Sequence, residues 1–253
     1  TDKREGTEPE YEPQFTMLFP RMYSSQPSHV TQYKDWCDFK GVPIRWTGRD
    51  GKPTIIQKPT QAENLRFFMS YQVNHMYWRY FMWNFAGRQN DIQSTGSSIL
   101  DGNWYTGLKF VDEARLGDQD HLPPSMTWNK GMNKFYLLPL LLGIIGLVYQ
   151  LSRNVRDWSI VALLFFFTGL AIVIYLNQTP LQPRERDYAY VGSFYAFAIW
   201  IGLGVYALFD AARTLAWKEL AYGACGILGV GVLKYAVEGA VGDDHSVSFC
   251  LLY

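Results

Sequence analysis

The 253-residue sequence lacks the features that mark several common functional classes. It contains three widely separated cysteines, Cys37, Cys225 and Cys250, which form no CxxC pair, and four scattered histidines. Structural zinc sites need cysteine or histidine ligands at short regular spacings. We therefore expect no structural zinc site and assign no metal ligands, while the sequence leaves open whether a divalent metal takes part. Cys37 has no evident disulfide partner.

Two further absences narrow the function. No Gly-x-Gly-x-x-Gly or P-loop string opens a helix after a strand, so we expect no nucleotide cofactor. Lys and Arg number 23, as do Asp and Glu, and the formal net charge is zero. Because acids balance the basic residues throughout, we expect no nucleic-acid partner.

No secretory signal or Met opens the chain, so we expect a fragment of a longer protein.

The zero net charge conceals two unlike halves. Residues 1–133 are rich in charged residues, Pro and Gly, whereas Leu, Ile, Val, Phe, Gly and Ala dominate from Phe135 onward. Runs of about 20 apolar residues are long enough to cross a bilayer. We predict four such spans, near residues 135–151, 158–176, 189–209 and 220–237. For any single run, the alternative is a buried core helix.

The first three spans carry no charged residue. The fourth is rich in glycine and carries Lys234, so we expect it to pack inside a bundle. We therefore predict an all-α membrane protein with about four transmembrane helices within residues 134–241. A large non-cytoplasmic region, residues 1–133, precedes them, and a tail, residues 242–253, follows.

Short loops suggest the orientation. Arg153 and Arg156 lie between the first two spans, and Arg213 and Lys218 lie between the last two. Cytoplasmic loops carry an excess of Lys and Arg, so both loops are predicted to be cytoplasmic. Residues 1–133, the loop 177–188 and the tail then lie on the opposite side of the membrane.

An aromatic helix is predicted near residues 63–85. Its apolar positions recur at helical spacing and are predicted to share one face: Phe67, Tyr71, Trp78, Phe81 and Phe85. Gln72, His75 and Arg79 fall together on a neighbouring face. Aromatic residues with polar tips favour the membrane interface, so this helix is predicted to lie along the bilayer surface or to cap the bundle. A core helix of the extramembrane half is the alternative.

Two turns complete the description of the extramembrane half. Gly and Pro punctuate residues 40–59, where Arg49-Asp50-Gly51 indicates the turn of a short hairpin. Directly after the aromatic helix, the polar turn at residues 87–91 contains Arg88 and Asp91. This turn is predicted either to bind an anionic group or to cap a helix end.

A dense charge cluster lies between two apolar runs, in the string QPRERDY (residues 182–188). Ionised groups are costly within lipid, so four consecutive charged residues here indicate a membrane-surface site or an anchor. Arg184 and Arg186 suit phosphate binding, because a guanidinium offers a planar fork of donors.

Three strings carry a resemblance to a known family: PRMYSSQPSHVTQYKDW (residues 20–36), NHMYWRYFMWNFAGRQNDIQ (residues 74–93) and NQTPLQPRERDYAYVGSFYAFAIWIGLGVYAL (residues 177–208). From about residue 19 to residue 241 the chain resembles the middle of large bacterial membrane proteins, once grouped only as a domain of unknown function. These are now placed with the protein O-mannosyltransferase-like, C-type glycosyltransferases. The tail departs from the family pattern after residue 245.

The resemblance implies an inner-membrane enzyme that moves a sugar, mannose or a similar hexose, from a polyprenyl phosphate to Ser or Thr of exported proteins on the periplasmic side. Its partners are membrane lipids, the lipid-linked sugar and the acceptor proteins. The fragment alone is expected to be inactive. A transporter subunit or a non-catalytic scaffold is the alternative. Transporters place ionisable residues near the bilayer centre, which the first three spans lack.

Candidate site residues follow from the resemblance and from the chemistry. The predicted substrate and phosphate ligands are Arg184, Arg186, Tyr188, His75, Arg79 and Arg88. Transfer requires a carboxylate that takes the proton of the acceptor hydroxyl. The acids within recognisable motifs are Asp91, Glu185 and Asp187, but the general base is expected outside this chain. Glu185 and Asp187 are expected to orient the arginines.

Overall fold

The computed structural model describes residues 13–47, 53–92, 99–182 and 187–214, together with Gly223, Gly226 and Gly229. Its described part is mostly helical, with a few short strands, and divides into two compact units. The first comprises Thr1–Gln72 and Asn177–Pro183, and the second comprises Val73–Leu176 and Arg184–Tyr253, each over its described residues. The mostly helical character confirms the predicted fold class in its coarse form.

The first unit contains helices and one hairpin. Its elements are a 3-10 helix at Pro13–Phe15, α1 at Pro27–Cys37, β1 at Val42–Thr47, β2 at Pro53–Lys58, α2 at Gln61–Phe67 and the beginning of a π-helix at Phe68–Trp78. The strands β1 and β2 pair antiparallel, with Ile44 opposite Ile56. This pairing confirms the predicted hairpin, whose turn, residues 48–52, lies outside the described residues.

Aromatic packing and one carboxylate organise the first unit. The rings of Tyr33 on α1 and Phe67 on α2 meet edge to face, with their centres 4.9 Å apart. The Thr60 hydroxyl and the Glu63 carboxylate form a capping box at the start of α2. The same carboxylate accepts hydrogen bonds from the backbone nitrogens of Lys40 and Gly41, at 2.7 and 3.0 Å. Glu63 therefore ties the start of α2 to the start of the hairpin.

The second unit contains the longer helices. Its elements are α3 at Arg79–Phe85, β3 at Gly87–Arg88, α4 at Lys109–Leu116, α5 at Pro124–Thr127, β4 at Asn133–Lys134, α6 at Leu138–Arg153, α7 at Val155–Thr168, α8 at Leu170–Leu176, a 3-10 helix at Asp187–Tyr190 and α9 at Val191–Thr214. The strands β3 and β4 pair antiparallel. Buried side chains of α3 and α9 form its core, with Phe81 and Phe85 against Phe197 at ring separations of 4.8 and 4.6 Å.

The helices α6 and α9 run parallel and in close contact. A Cβ atom on Gly146 of α6 would overlap the carbonyl oxygen of Trp200, and one on Gly204 of α9 would overlap the carbonyl oxygen of Leu142. Glycine at such positions lets two helix backbones approach, as in packed membrane helices. The contact therefore depends on the absence of side chains at Gly146 and Gly204.

The helix α7 runs antiparallel to α9. Phe165 lies 5.7 Å from Trp200, and Gly169, further along the chain, lies against Ser193 near the beginning of α9. The carboxyl end of α6 carries Arg153, which binds Asp210 of α9 at 2.8 Å. The basic residues predicted to flank the spans, Arg153, Arg156 and Arg213, thus belong to the same end of this bundle.

Within the described residues, two helical segments are long and apolar enough to cross a membrane: Val155–Leu176, with 22 residues, and Asp187–Arg213, with 27 residues. The first predicted span is displaced along the chain and is short for a membrane crossing. The helix α6 begins at Leu138 and has 16 residues, or about 24 Å at 1.5 Å per residue. Residues 135–137 are not helical, because Tyr136 and Leu137 have positive φ angles and Phe135 bonds to Ala86. The fourth predicted span lies outside the described residues, except for three isolated glycines.

The carboxyl end of the predicted aromatic face is observed. Phe81 and Phe85 are buried, and the Trp78 ring stacks on the Phe81 ring with centres 5.2 Å apart, while Trp78 itself is 41% exposed. Phe68–Trp78 form a π-helix, whereas the residue spacing predicted a regular α-helix. The burial of α3 comes from packing against Phe197 and Trp200 of α9, in the unit that contains the long apolar helices. The predicted position of this helix at the bilayer surface or as a cap of the bundle stays a prediction.

Candidate functional site

Two buried arginines lie beside one tryptophan in the second unit. Arg79 and Trp83 are four residues apart on α3 and therefore share a face. Arg88 follows on β3. The guanidinium carbons of Arg79 and Arg88 lie 5.1 and 6.0 Å from the centre of the Trp83 ring. All three side chains are buried, and Arg88 is only 5% exposed. We call these residues the arginine–tryptophan cluster.

Glycine conformation and strand pairing fix the position of Arg88. The preceding Gly87 has a φ angle of +119°, and a Cβ there would overlap the carbonyl oxygens of Asn133 and Tyr105. Only glycine adopts this conformation without strain. Arg88 pairs with Asn133 in the β3–β4 ladder. Its Nε donates a hydrogen bond to the carbonyl oxygen of Gly131 at 2.8 Å.

Two donors of the cluster are left without an acceptor. The Nη2 atom of Arg88 and the Nε1 atom of Trp83 are buried and have no hydrogen-bond partner in the described part of the chain. An unmet buried donor costs about 1–3 kcal/mol, and more if it is charged. A bound group that satisfies both atoms must supply acceptors. Because guanidinium groups are cationic, an anionic acceptor such as a phosphate oxygen fits best.

Arg79 is held by backbone carbonyl groups. Its Nε donates to the carbonyl oxygen of His75 at 3.0 Å, and its Nη1 donates to that of Gly102 at 3.5 Å. The guanidinium also lies 4.7 Å from the centre of the Tyr80 ring. These contacts position its charge next to Trp83. His75 itself is buried and contributes its backbone carbonyl group to this arrangement.

Buried amides hold the loop that follows Arg88. The Gln89 side-chain oxygen accepts a hydrogen bond from the Asn103 amide at 3.0 Å, and Asn90 accepts one from the Gly102 backbone nitrogen at 2.8 Å. The Asn90 amide also donates to the Asp101 carboxylate at 3.0 Å. The predicted polar turn is thus tied to residues 101–103 by these hydrogen bonds. Sequence reasoning missed this network, because isolated amides give no periodic signal.

A buried carboxylate anchors the next segment. Asp112 on α4 is fully buried and accepts hydrogen bonds from the backbone nitrogens of Thr106 and Gly107 at 3.0 and 2.8 Å, as well as from the Thr106 hydroxyl group. These bonds satisfy the carboxylate within the protein. Asp112 therefore has a structural role that its sequence context did not indicate.

The other predicted site residues are dispersed. Asp91 is exposed and lies against Gly131, while Asp187 begins a 3-10 helix, where the following Tyr188 is 43% exposed. The structure thus brings together Arg79 and Arg88, with the His75 backbone. The remaining candidates, Arg184, Glu185 and Arg186, lie outside the described residues.

An acidic group lies on the surface near α4. The carboxylates of Glu113, Asp118 and Asp120 are close enough to share a cation. The ammonium group of Lys109 already contacts Glu113 at 3.6 Å and forms an ion pair with Asp120. His121 binds Asp118 at 2.7 Å. Because these side chains pair with one another, we assign no metal to them. The predicted absence of a structural zinc site stays a prediction.

Comparison with known proteins adds one family match. The model of a family of unknown function (DUF8416) matches residues 2–69, which lie within the first compact unit and cover less than half of the chain. No curated protein sequence matches the chain, and no solved structure does. The resemblance to protein O-mannosyltransferase-like enzymes therefore stays a prediction.

Proposed function

We propose that this chain is part of a bacterial membrane glycosyltransferase. The enzyme takes a hexose, such as mannose, from a polyprenyl-phosphate donor and attaches it to Ser or Thr of exported proteins. The resemblance of residues 19–241 to that family motivates the proposal. Its principal structural support is the arginine–tryptophan cluster, where two buried guanidinium groups flank one indole ring.

The cluster supports a phosphate ligand through its unmet donors. Arg88 Nη2 and Trp83 Nε1 both require an acceptor, and no carboxylate among the described residues forms an ion pair with Arg88. The lipid-linked sugar is a phosphodiester with two non-bridging oxygens that share one negative charge, and the polyprenyl phosphate that leaves is a monoester with more negative charge. Both match a guanidinium fork. In the proposed reaction, Arg88 holds the phosphate and stabilises the negative charge that develops as it leaves.

We propose the following transfer. The acceptor hydroxyl oxygen attacks the anomeric carbon of the sugar, and the bond from that carbon to the phosphate oxygen breaks. The phosphate keeps the bonding electrons, and the hydroxyl proton passes to a carboxylate. We propose that this carboxylate lies outside this chain. Asp91 and Asp187 are the described acids in the motifs. Arg184 and Arg186 are proposed to assist at the phosphate, with Glu185 and Asp187 orienting them.

The membrane location is also part of the proposal. The segments Val155–Leu176 and Asp187–Arg213 have the length and apolar character of membrane spans. The outer face of α7 is apolar and exposed, with Ile160 61% and Phe167 59% exposed, as suits contact with lipid. We propose about four spans in the bacterial inner membrane, with residues 1–133, the loop 177–188 and the tail in the periplasm.

A substitution of Arg88 tests the proposal in cells. Arg88→Gln in the whole protein is expected to reduce glycosylation of exported proteins at least tenfold, because one charge-assisted phosphate contact is worth about 1.5–3 kcal/mol. Arg115→Gln is the matched control, since Arg115 also stacks on a tryptophan, Trp104, but at an exposed position. Normal membrane assembly with unchanged glycosylation in Arg88→Gln would exclude the phosphate role and favour a scaffold or transporter subunit.

A further inference from the structure

A second group of buried polar side chains lies wholly within the first unit. Gln72 is 1% exposed and Gln178 is 6% exposed. The Gln72 amide nitrogen donates hydrogen bonds to the side-chain oxygen of Asn177 at 3.0 Å and to the backbone carbonyl oxygen of Gln178 at 2.9 Å. We call Gln72, Asn177 and Gln178 the amide cluster.

Three atoms of this cluster have no hydrogen-bond partner among the residues that the structure describes. They are Oε1 of Gln72 and both Oε1 and Nε2 of Gln178. Exchanging the oxygen and nitrogen of Gln72 does not resolve this, because an oxygen would then face the carbonyl oxygen of Gln178. Buried amides normally have their hydrogen bonds satisfied, so the unmet atoms indicate a site that can bind a polar group.

Aromatic rings lie next to the amides. Tyr71 precedes Gln72, is 6% exposed and donates its hydroxyl hydrogen to the carbonyl oxygen of Thr179 at 3.3 Å. The ring of Trp36 on α1 meets the Tyr71 ring with centres 5.2 Å apart. Amides beside aromatic rings offer hydrogen bonds and an apolar surface at once, which suits a ligand that carries both hydroxyl and C–H groups.

We propose that the amide cluster binds hydroxyl groups of a sugar. The unmet atoms comprise two acceptors and one amide donor, and all are neutral. A hydroxyl group both donates and accepts a hydrogen bond, so a polyhydroxylated neutral ligand can satisfy all three. An anion would face two carbonyl oxygens, and a cation would leave the amide nitrogen unmet. The choice of a sugar among hydroxylated ligands rests on the proposed function.

Binding of methyl α-mannoside to the purified chain in detergent tests this site. The probe carries no phosphate, so its binding is separate from the role of Arg88. Gln178→Met removes both unmet amide atoms while nearly preserving side-chain volume. Gln182→Met is the matched control, since the Gln182 amide is satisfied by Thr179, at 2.7 Å from its hydroxyl group. We expect saturable binding by wild type, at least tenfold weaker binding by Gln178→Met and no change in Gln182→Met.

Folding is checked in the same preparations. Replacing an unsatisfied buried amide by an apolar group is expected to leave the thermal unfolding temperature unchanged or to raise it. If Gln178→Met does not unfold cooperatively, Gln178→Glu, which keeps the side-chain shape and loses the amide donor, is measured instead and is also expected to bind at least tenfold more weakly. Absence of saturable binding in wild type, or equal binding in the Gln178 variant that folds, would show that the amides hold only ordered water and would overturn the proposal.

The two proposals fail in different ways. If Arg88→Gln leaves glycosylation intact while mannoside binding depends on Gln178, the proposed function is contradicted and the sugar site is supported. If glycosylation depends on Arg88 while mannoside binding is independent of Gln178, only the proposed sugar site is contradicted.

Discussion

The indole nitrogen of Trp200 donates a 2.8 Å hydrogen bond to the side-chain oxygen of Gln150. One turn earlier on α6, the backbone of Gly146 lies against the backbone of Trp200. These contacts join α6 to α9 through a polar bond and a close glycine approach. The pairing of α6 and α9 is therefore specific in register, because a shift of one residue would break both contacts.

Gly146→Ala tests this pairing. The added methyl group overlaps the Trp200 carbonyl oxygen. The free energy of unfolding of the variant is therefore expected to be about 1–3 kcal/mol lower than that of wild type, the usual cost of overpacking. Gly202→Ala is the control, since no atom lies within 4 Å of a Cβ at that position. Thermal unfolding in detergent measures both variants. An equal loss of stability in the two would mean that the close contact does not hold α6 to α9.

Glu63 should make the stability of the chain depend on acid pH. Burial acts to raise the pKa of Glu63, but hydrogen bonds from Gly41, Thr60 and Lys40 lower it from 4.5 to about 2. A carboxyl group whose pKa is lower in the folded state stabilises that state above pH 4.5, and the stabilisation is lost as the pH falls toward 2.

Glu63→Gln measures this contribution. At pH 7 the variant is expected to be less stable than wild type by about 1 kcal/mol, a typical value for a capping interaction. The difference should shrink as the pH falls from 4.5 to 2. Glu113→Gln serves as the control, because Glu113 contacts the exposed Lys109 and surface pairs contribute little. A stability difference for Glu63→Gln that does not change with pH would contradict the role of the charge.

Cys37 is expected to resist thiol reagents in the folded protein. Burial raises its pKa to about 11, with Glu63 and Asp38 acting in the same direction and Arg66 opposing them. The thiol also donates a hydrogen bond to the Tyr33 carbonyl oxygen at 2.8 Å. At pH 8 roughly one thiol in a thousand is then ionised, and the side chain is inaccessible.

Maleimide labelling at pH 8, read by mass spectrometry of the peptide that contains Cys37, checks this expectation. Labelling should be slow in the native protein and complete after denaturation. Rapid labelling under native conditions would indicate that α1 does not pack against α2 as described.

The sequence predicted those features that depend on local chemistry. Apolar runs predicted helices at the positions of α6 to α9, and the turn residues near Arg49 predicted the β1–β2 hairpin. The proximity of Arg79 to the turn containing Arg88 can also be predicted from the sequence, because both belong to one short stretch of chain. The four-span arrangement stays a prediction beyond the two described candidate spans.

Features set by distant contacts could not be predicted. The π-helix at Phe68–Trp78 is one such feature, because the residue spacing there indicated a regular α-helix. The start of α6 is set by hydrogen bonds that residues 135 and 136 make with Ala86 and Thr106. The unmet donor of Arg88 depends on which acceptors the fold brings near it, and residue spacing carries no information about that.

Binding of a phosphate-bearing lipid to Arg88 tests the central claim most directly. Titration of the purified chain in detergent with farnesyl phosphate, a short polyprenyl monophosphate, is expected to show saturable binding and a rise in the thermal unfolding temperature. Arg88→Gln should bind at least tenfold more weakly, whereas Arg115→Gln should bind as wild type does. Equal affinity of wild type and Arg88→Gln for farnesyl phosphate would contradict the assignment of the arginine–tryptophan cluster as the phosphate site.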